Sequence, residues 1–522
     1  MAIASSRRHL LVVVLVLSLF AAACGGGGEN VGAAASEDDS EANGSETTVE
    51  PTRGGTLTWG WALPSTWDPT ASAVGNDSHA LALVYEPLVQ QDAEGNARPG
   101  LAESWEYNDA GDEITFHLRE GLTFHDGTTV DAESVKTNIL RGRDDERSTV
   151  AAQLAVVEDV VVESPTEVRL VLDQPDYQIP LLLSGKTGMI VSPAALEDPE
   201  ALATAPVGAG PFALDTYVPS SQAELSAFEG YWNAEHILLD GFVLKPTPDP
   251  AVAAAGLQSD QYDVISIPAA QVDALESAGF DVLITEVLPV RVLDVNDSRE
   301  PFDDPLVTQA ISHAIDRQAL IDIANFGYGS PLWQPFPEGY VAHDPELDEL
   351  YPYDPDRARE LLADAGYPDG IDIELAVSTD NDPLAEIVQQ QLNEVGINTE
   401  LVVTTPGVNN YVTLDHAFVV DQFNARQSPI QSLEVLFGPE GLMNLGHSSP
   451  DDLQPAIDAA RALPLDDPDY PEALQHATAT AVTQMPNVFL FSVTRFFAHT
   501  AEVQGLAPHI DTWRWEDVWL DQ

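Results

Sequence analysis

Between Arg53 and Gln522, short segments of period two alternate with capped segments of helical period, and that alternation admits few folds. Ile114, Phe116 and Leu118 interleave with Thr115, His117 and Arg119, the pattern of a half-buried strand. Val168, Leu170 and Leu172 repeat it, as do Ile371, Ile373, Leu375 and Val377. Between such strands stand helices with legible ends. Asp304-Pro305 combines a cap with a first-turn proline, ahead of an apolar face at Val307, Ile311, Ala314 and Ile315. Asp354-Pro355 opens another, with Leu361, Leu362 and Ala365 facing inward and Gly366 as its stop. A third carries Leu384, Ile387, Val388, Leu392 and Val395 and closes at Gly396. The expected class is α/β. At about 470 residues this stretch exceeds one core, so two or three domains are expected. Pro206 to Pro211 and Lys245 to Pro250 read as domain crossings.

The residues before Arg53 are of another kind. Met1 to Arg8 carries two arginines and no acid, Leu10 to Phe20 is an apolar run broken by Ser18, and Ala21, Ala22 and Ala23 lead to Cys24. A basic start, a short apolar core and a small-residue end predict a secretory signal over residues 1–23. Cys24 is the chain's one cysteine, so no internal disulfide is expected. Ala-Ala-Ala-Cys resembles the bacterial lipobox, which implies a lipidated Cys24 as the mature N-terminus. Ser6-Arg7-Arg8-His9-Leu10-Leu11 resembles a twin-arginine signal, and the export route stays open. Gly25 to Gly28 are glycines, and Glu29 to Thr52 holds seven acids with no base and no aromatic residue. Such a stretch cannot bury enough apolar surface to order itself, so 24–52 is expected to be a flexible tether.

Charge excludes one class of partner. The chain has 85 acids against 21 lysines and arginines, a formal net charge of −64, and such a surface repels nucleic-acid backbones. Enzyme motifs occur in fragments and fail. Gly185-Lys186-Thr187 lacks the first glycine of a phosphate loop, since Pro180 stands there. Lys186-Thr187-Gly188 has no Ser-x-x-Lys to accompany it. Pro211 removes an amide where Gly208-Ala209-Gly210-Pro211 would need to cradle a dinucleotide. The twelve histidines show no metal-ligand spacing. No enzyme activity, metal or cofactor is expected.

A series of motifs points elsewhere. Gly54-Gly55-Thr56-Leu57 with Trp67-Asp68-Pro69, Tyr85-Glu86-Pro87-Leu88-Val89, and Arg98-Pro99-Gly100-Leu101-Ala102-Glu103-Ser104-Trp105-Glu106 come first. Ile114 to Gly121, Phe124-His125-Asp126-Gly127, Pro206 to Phe212, Tyr231-Trp232, Pro301-Phe302-Asp303-Asp304 and Ala314-Ile315-Asp316-Arg317 follow. Asp354-Pro355 through Pro368 and Gln391-Leu392 through Ile397 complete the order. The series resembles the family 5 extracellular solute-binding proteins, the peptide-, nickel-chelate- and sugar-binding components of ABC importers. Tyr85 to Val89 is similar to the family's next helix after the opening strand, and Phe124 to Gly127 reads as a turn in which His125 packs.

The resemblance implies a two-lobe, type II periplasmic-binding fold closing on a ligand. Lobe 1 would comprise 53–289 and 488–522, with an inserted subdomain at about 87–205, and lobe 2 would comprise 290–487. It further implies a monomer on the outer face of the cytoplasmic membrane, with an ABC permease and ATPase complex as partner and a peptide or other small organic molecule as ligand. A ligand-sensing receptor or an extracytoplasmic hydrolase of the same fold are the alternatives.

Ligand-facing candidates follow. Alternation puts Trp59 and Trp61 on one face of the first strand; Trp61, nearer its end, and Trp67 are candidates. Asn296 falls near the expected interlobe crossing. Trp333 and Gln334 follow Gly327-Tyr328-Gly329-Ser330-Pro331, which resembles a cleft loop of the family. Phe423, Asn424, Arg426 and Gln427 occupy the segment where peptide-binding relatives place an aromatic residue and an acid. Ala425 and Ser428 stand where that segment's acids would be, so a ligand without a free ammonium is expected to fit better. Trp513, Trp515 and Trp519 are read as packing.

Overall fold

The computed structural model describes residues 50–247, 249–379, 382–404, 408–484 and 487–521. The expected signal, Cys24 and nearly all of the tether lie outside them. Among the described residues no helix is long and apolar enough to cross a membrane.

Local chemistry sets the helices. Asp304 accepts from the Leu306 amide at 2.9 Å, Asp354 from Arg357 at 2.9 Å and Asp382 from Leu384 at 3.0 Å, each ahead of a proline with no amide to satisfy. These caps start helices Pro305–Ala314, Pro355–Asp364 and Pro383–Glu394. Val307, Ile311, Leu361, Val388 and Leu392 then converge with strand residues Leu293, Leu375 and Phe418 in one core. The motif Tyr85 to Val89 departs from expectation. The helix is Asp77–Val84, and Tyr85 is already extended (φ −112, ψ 135), one residue ahead of Glu86, which the Pro87 ring disfavours in helical geometry.

One ten-stranded sheet organises the body. Its order is Ile397–Val403, Ile371–Val377, Phe418–Phe423, Asp281–Val295, Val488–His499, Val264–Ile267, Thr56–Gly60, Gly241–Lys245, Gln222–Ala227, Phe212–Val218. Two long neighbours, Asp281–Val295 and Val488–His499, run through both halves of the molecule. They pair antiparallel from Asp281↔His499 to Leu293↔Val488, with register shifts between Val287 and Val290 and between Arg291 and Val292. Of the two expected crossings, Lys245 to Pro250 does not leave its half: strand Gly241–Lys245 leads to helix Pro250–Leu257, whose Leu257 packs with Ile265 and Phe496. Pro206 to Pro211 joins the main sheet to a separate four-stranded antiparallel sheet. That sheet runs in the order Ala102–Tyr107, Glu113–Leu118, Glu167–Leu172, Val157–Ser164 and packs helix Ala132–Asp144 through Ile114, Phe116, Val135, Ile139 and Leu170.

The last residues return to the first half. Trp513 and Trp515 enter the core around Trp59, Trp61 and Phe497 from an irregular segment, and Trp519 belongs to a two-residue strand paired with Val503–Gln504. Arg514 fastens this return. Its guanidinium donates to Glu86 at 3.1 Å and to Glu516 at 3.0 Å, and the fully buried Glu86 also accepts from Tyr231 and Trp232, each at 3.2 Å.

Candidate ligand-binding site

The two halves meet along a seam of side chains. From the first half come Gln91, Asp176 to Gln178, Gly185 and Asp511; from the second come Gln427, Ser428, Arg461 and Tyr470. Gln91 donates to the Gln427 carbonyl at 3.3 Å, and Gln427 donates to Asp511 at 3.2 Å. Ser428 and Tyr470 both donate to the Gln178 side-chain oxygen, at 3.1 and 3.2 Å. The Tyr177 amide donates to the Arg461 carbonyl at 3.1 Å, and Arg461 lies 3.6 Å from Asp176. Burial pushes the Asp176 carboxyl up to about 6 against the pull of Arg461. Beside this seam lies a cavity of about 690 Å³ with walls from both halves, among them Trp105, Tyr107, Tyr177, Tyr340 and Tyr470. Its size and aromatic lining suit a small organic molecule.

The structure brings Gln427 to the seam, while Arg426, next to it in the chain, bonds within its own half to Ser432 and the Asn424 carbonyl. Others are committed elsewhere. Trp67 is fully buried, edge-on to Tyr217 at 6.0 Å, and Phe423 is fully buried among Val290, Ile430 and Leu433. Trp61 is stacked on Trp59 at 5.2 Å, with His79 edge-on to it at 5.2 Å. Alternation identified its face correctly, but that face is covered. Gln334 is fully buried and exchanges two 2.8 Å bonds with the backbone of Asp344. Trp333 donates to the Tyr351 carbonyl at 3.0 Å and lies under the Arg317 guanidinium at 4.8 Å. Asn296 sits at the outer end of the crossing strand, away from its register shifts, and accepts from the amide and hydroxyl of Ser298. Asn424 is exposed and accepts from Gln422 at 3.0 Å. The loop through Ser330 does reach the crossing: its amide donates to the Ser492 hydroxyl at 2.8 Å and its hydroxyl to Glu286 at 3.0 Å.

Sequence reasoning singled out none of Arg291, Arg495 and His79, and weighed Lys186 only within enzyme motifs that fail. Arg291 and Arg495 stand one on each crossing strand, and Lys186 donates to the Ser72 carbonyl at 2.8 Å. Arg291 interrupts an apolar run, Val290-Arg291-Val292, and that interruption was the available signal; Arg495 follows Thr494 and carries no such mark.

Next to Arg291 and Arg426, Tyr411 bridges two carboxylates, donating to one of Asp294 and Asp421 while the other bond needs a proton from the acid. Burial, with Asp421 beside it, pushes the Asp294 carboxyl up to about 8, so Asp294 carries that proton. A carboxyl raised in the folded state favours folding below its unfolded pKa, and the gain is lost as pH rises toward the folded one. Stability should therefore decline between about pH 4 and pH 8 from this group. In Asp294→Asn, urea titrations across that range should show a flatter profile; an unchanged slope would remove Asp294 as its source.

Two α/β halves on one sheet, linked by paired crossing strands and meeting at a polar seam, define a type II periplasmic-binding fold, as the sequence motifs implied. The chain belongs to the bacterial extracellular solute-binding proteins, family 5, whose middle-region model matches residues 96–437. The glutathione-binding protein GsiB of Escherichia coli (strain K12) is 33% identical over 333 residues. That match covers 62% of this chain and 64% of GsiB, just under two thirds of its length. Two solved structures share the fold. Helicobacter pylori DppA, in complex with the peptide STSA, has a TM-score of 0.78 at 23% identity, over 90% of this chain and 99% of that one. Listeria monocytogenes CtaP has 0.80 at 20% identity, over 90% and 100%.

Proposed function

We propose that this chain is the substrate-binding component of an ABC importer, capturing a peptide-like or other small organic solute by closure of its two lobes. The supporting observation is the contrast between the two connections. At the crossing, the lobes share continuous backbone ladders; at the seam they meet through side-chain hydrogen bonds that can open without disturbing either core. Lobe 1 is 53–289 with 488–522, its subdomain is 87–205, and lobe 2 is 290–487. The boundary at 289 falls beside the register shift between Val287 and Val290. GsiB and DppA are described as binding proteins, the second as ABC transporter-associated, which supports capture over hydrolysis.

A two-lobe binder responds to ligand only through differential affinity for its open and closed states. Small-angle scattering should therefore show a smaller radius of gyration once a tightly bound solute is added. Tight binding with no compaction would defeat the closure mechanism.

We further propose that Cys24 is lipidated, that 24–52 tethers the monomeric body to the outer face of the cytoplasmic membrane, and that a permease and ATPase complex receives the solute there. Cys24→Ser should move the mature protein from the membrane to the soluble fraction. Persistent membrane association would rule out the anchor.

A further inference from the structure

The cavity of about 690 Å³ beside the seam is rich in rings and has no base in its walls. Its aromatic residues are Trp105, Tyr107 and Tyr177 from the first half and Tyr340 and Tyr470 from the second, and no lysine, arginine or histidine lines it. Trp105 and Tyr107 share a face of strand Ala102–Tyr107, and the Tyr177 ring lies 4.4 Å from that of Tyr107. Glu106, between them in the strand, points to the other face, where it lies 3.8 Å from His117. Asp466, exposed in the wall from the second half, makes no hydrogen bond or ion pair through its carboxylate among the described residues.

Several donors at this cavity are already spent. The Tyr107 hydroxyl donates to the Asp176 carbonyl at 2.9 Å, and the Tyr470 hydroxyl to the Gln178 side-chain oxygen at 3.2 Å. The side-chain amides of Asn96 and Asn108 donate to Asp92 at 3.0 Å and to Asp112 at 2.7 Å. An anion placed here would meet no cation, whereas aromatic faces attract positive charge, most strongly where water is excluded. A primary ammonium brings three N–H donors that each need an acceptor. A quaternary ammonium brings none, so ring faces and one unpaired carboxylate satisfy it. The two walls also touch: Tyr470 reaches Gln178 across the seam, and a Cβ on Gly95 would lie 3.2 Å from the Tyr340 ring. The cavity is therefore complete only while the halves are together.

We infer that this cavity receives a small organic cation of the quaternary ammonium type, held by rings of both halves with Asp466 as its counter-charge. This rests on the captured solute lying in the cavity. An occupant of that kind engages both walls at once, so its binding favours the closed state. It also agrees with Ala425 and Ser428, which led us to expect a ligand without a free ammonium.

Calorimetry with acetylcholine and its neutral carbon isostere, 3,3-dimethylbutyl acetate, tests the charge requirement at constant shape. Acetylcholine should bind at least about tenfold more tightly. Tyr177→Leu and Tyr340→Leu keep an apolar wall but remove the ring, and each should cut that preference at least about threefold while the urea midpoint holds. Asp466→Asn, on an exposed side chain, should weaken acetylcholine alone and leave the midpoint unchanged. Equal binding of the two esters, tighter binding of the neutral one, or a preference retained in all three variants overturns the inference. So does a failure of both esters to bind. Scattering keeps that failure apart from a failure of capture: a different solute that binds and compacts the protein would overturn the cation and leave capture by closure intact.

Discussion

Replacing Arg514 by alanine is expected to destabilise the protein by about 3–5 kcal/mol, the range for breaking a buried ion pair by removing one partner. The cost comes from what stays behind. Glu86 has no exposure and would keep a charge whose remaining neighbours, Tyr231, Trp232 and Gln90, are neutral, with the Glu516 carboxylate close by. Arg514 also carries the return of the terminal segment, so Trp513 and Trp515 should loosen with it. Urea unfolding followed by tryptophan fluorescence measures the loss; a change under about 1 kcal/mol would show that the network is neutral. The pH dependence provides a second readout. Burial would raise the Glu516 carboxyl, but Arg514 outweighs it and holds the group at about 2 against an ordinary 4.5. A depressed carboxyl stabilises the fold above its unfolded pKa, and that gain is lost as pH falls from about 4.5 toward 2. Arg514→Ala should lose this acid limb.

Gly208→Ala is expected to cost about 3 kcal/mol or more, at the upper end for forcing atoms into a filled site. A Cβ there would lie 2.1 Å from the Val84 carbonyl oxygen and 2.6 Å from the Tyr85 ring. The backbone cannot retreat, because the Gly208 carbonyl accepts from the His125 amide at 2.9 Å while the Gly210 amide donates to Val84 at 2.9 Å. Gly121→Ala is the control. Gly121 has φ +76 and open space around it, so alanine there meets only the left-handed backbone penalty of about 1–2 kcal/mol. Equal losses at the two positions would show that close approach does not dictate the glycine. The Gly-x-Gly-Pro run is thus a joint between the subdomain and the main sheet, which is why it resembles a phosphate-binding turn without serving as one.

The strands and capped helices were legible because their signals are local. Asp304-Pro305 and Asp354-Pro355 declare helix starts within two residues, and Ile114 to Leu118 declares its pleat within five. The site was less legible. Alternation placed Trp59 and Trp61 on a common face but could not say that Trp515 and Phe497 would cover it. Phe423 was placed in the right segment, yet its direction depends on pairing with Val290, a residue more than a hundred positions away. Arg495 is uninformative alone; its hydrogen bond with His79 joins residues more than four hundred positions apart, which no local pattern can announce. The substitution of Ala425 and Ser428 for acids could be read directly, since it needs no partner to be recognised.

The paired strands Asp281–Val295 and Val488–His499 also govern how force passes through the molecule. Two hydrogen-bonded backbones lying side by side resist stretching and mutual sliding, because either would break ladder bonds in series. Twisting about their common axis breaks none, and strands are already twisted. The ribbon is therefore a torsion bar with one soft coordinate, softest where the register slips between Val287 and Val290. Under the closure proposed above, the ribbon would turn any relative movement of the two halves into a rotation about one axis.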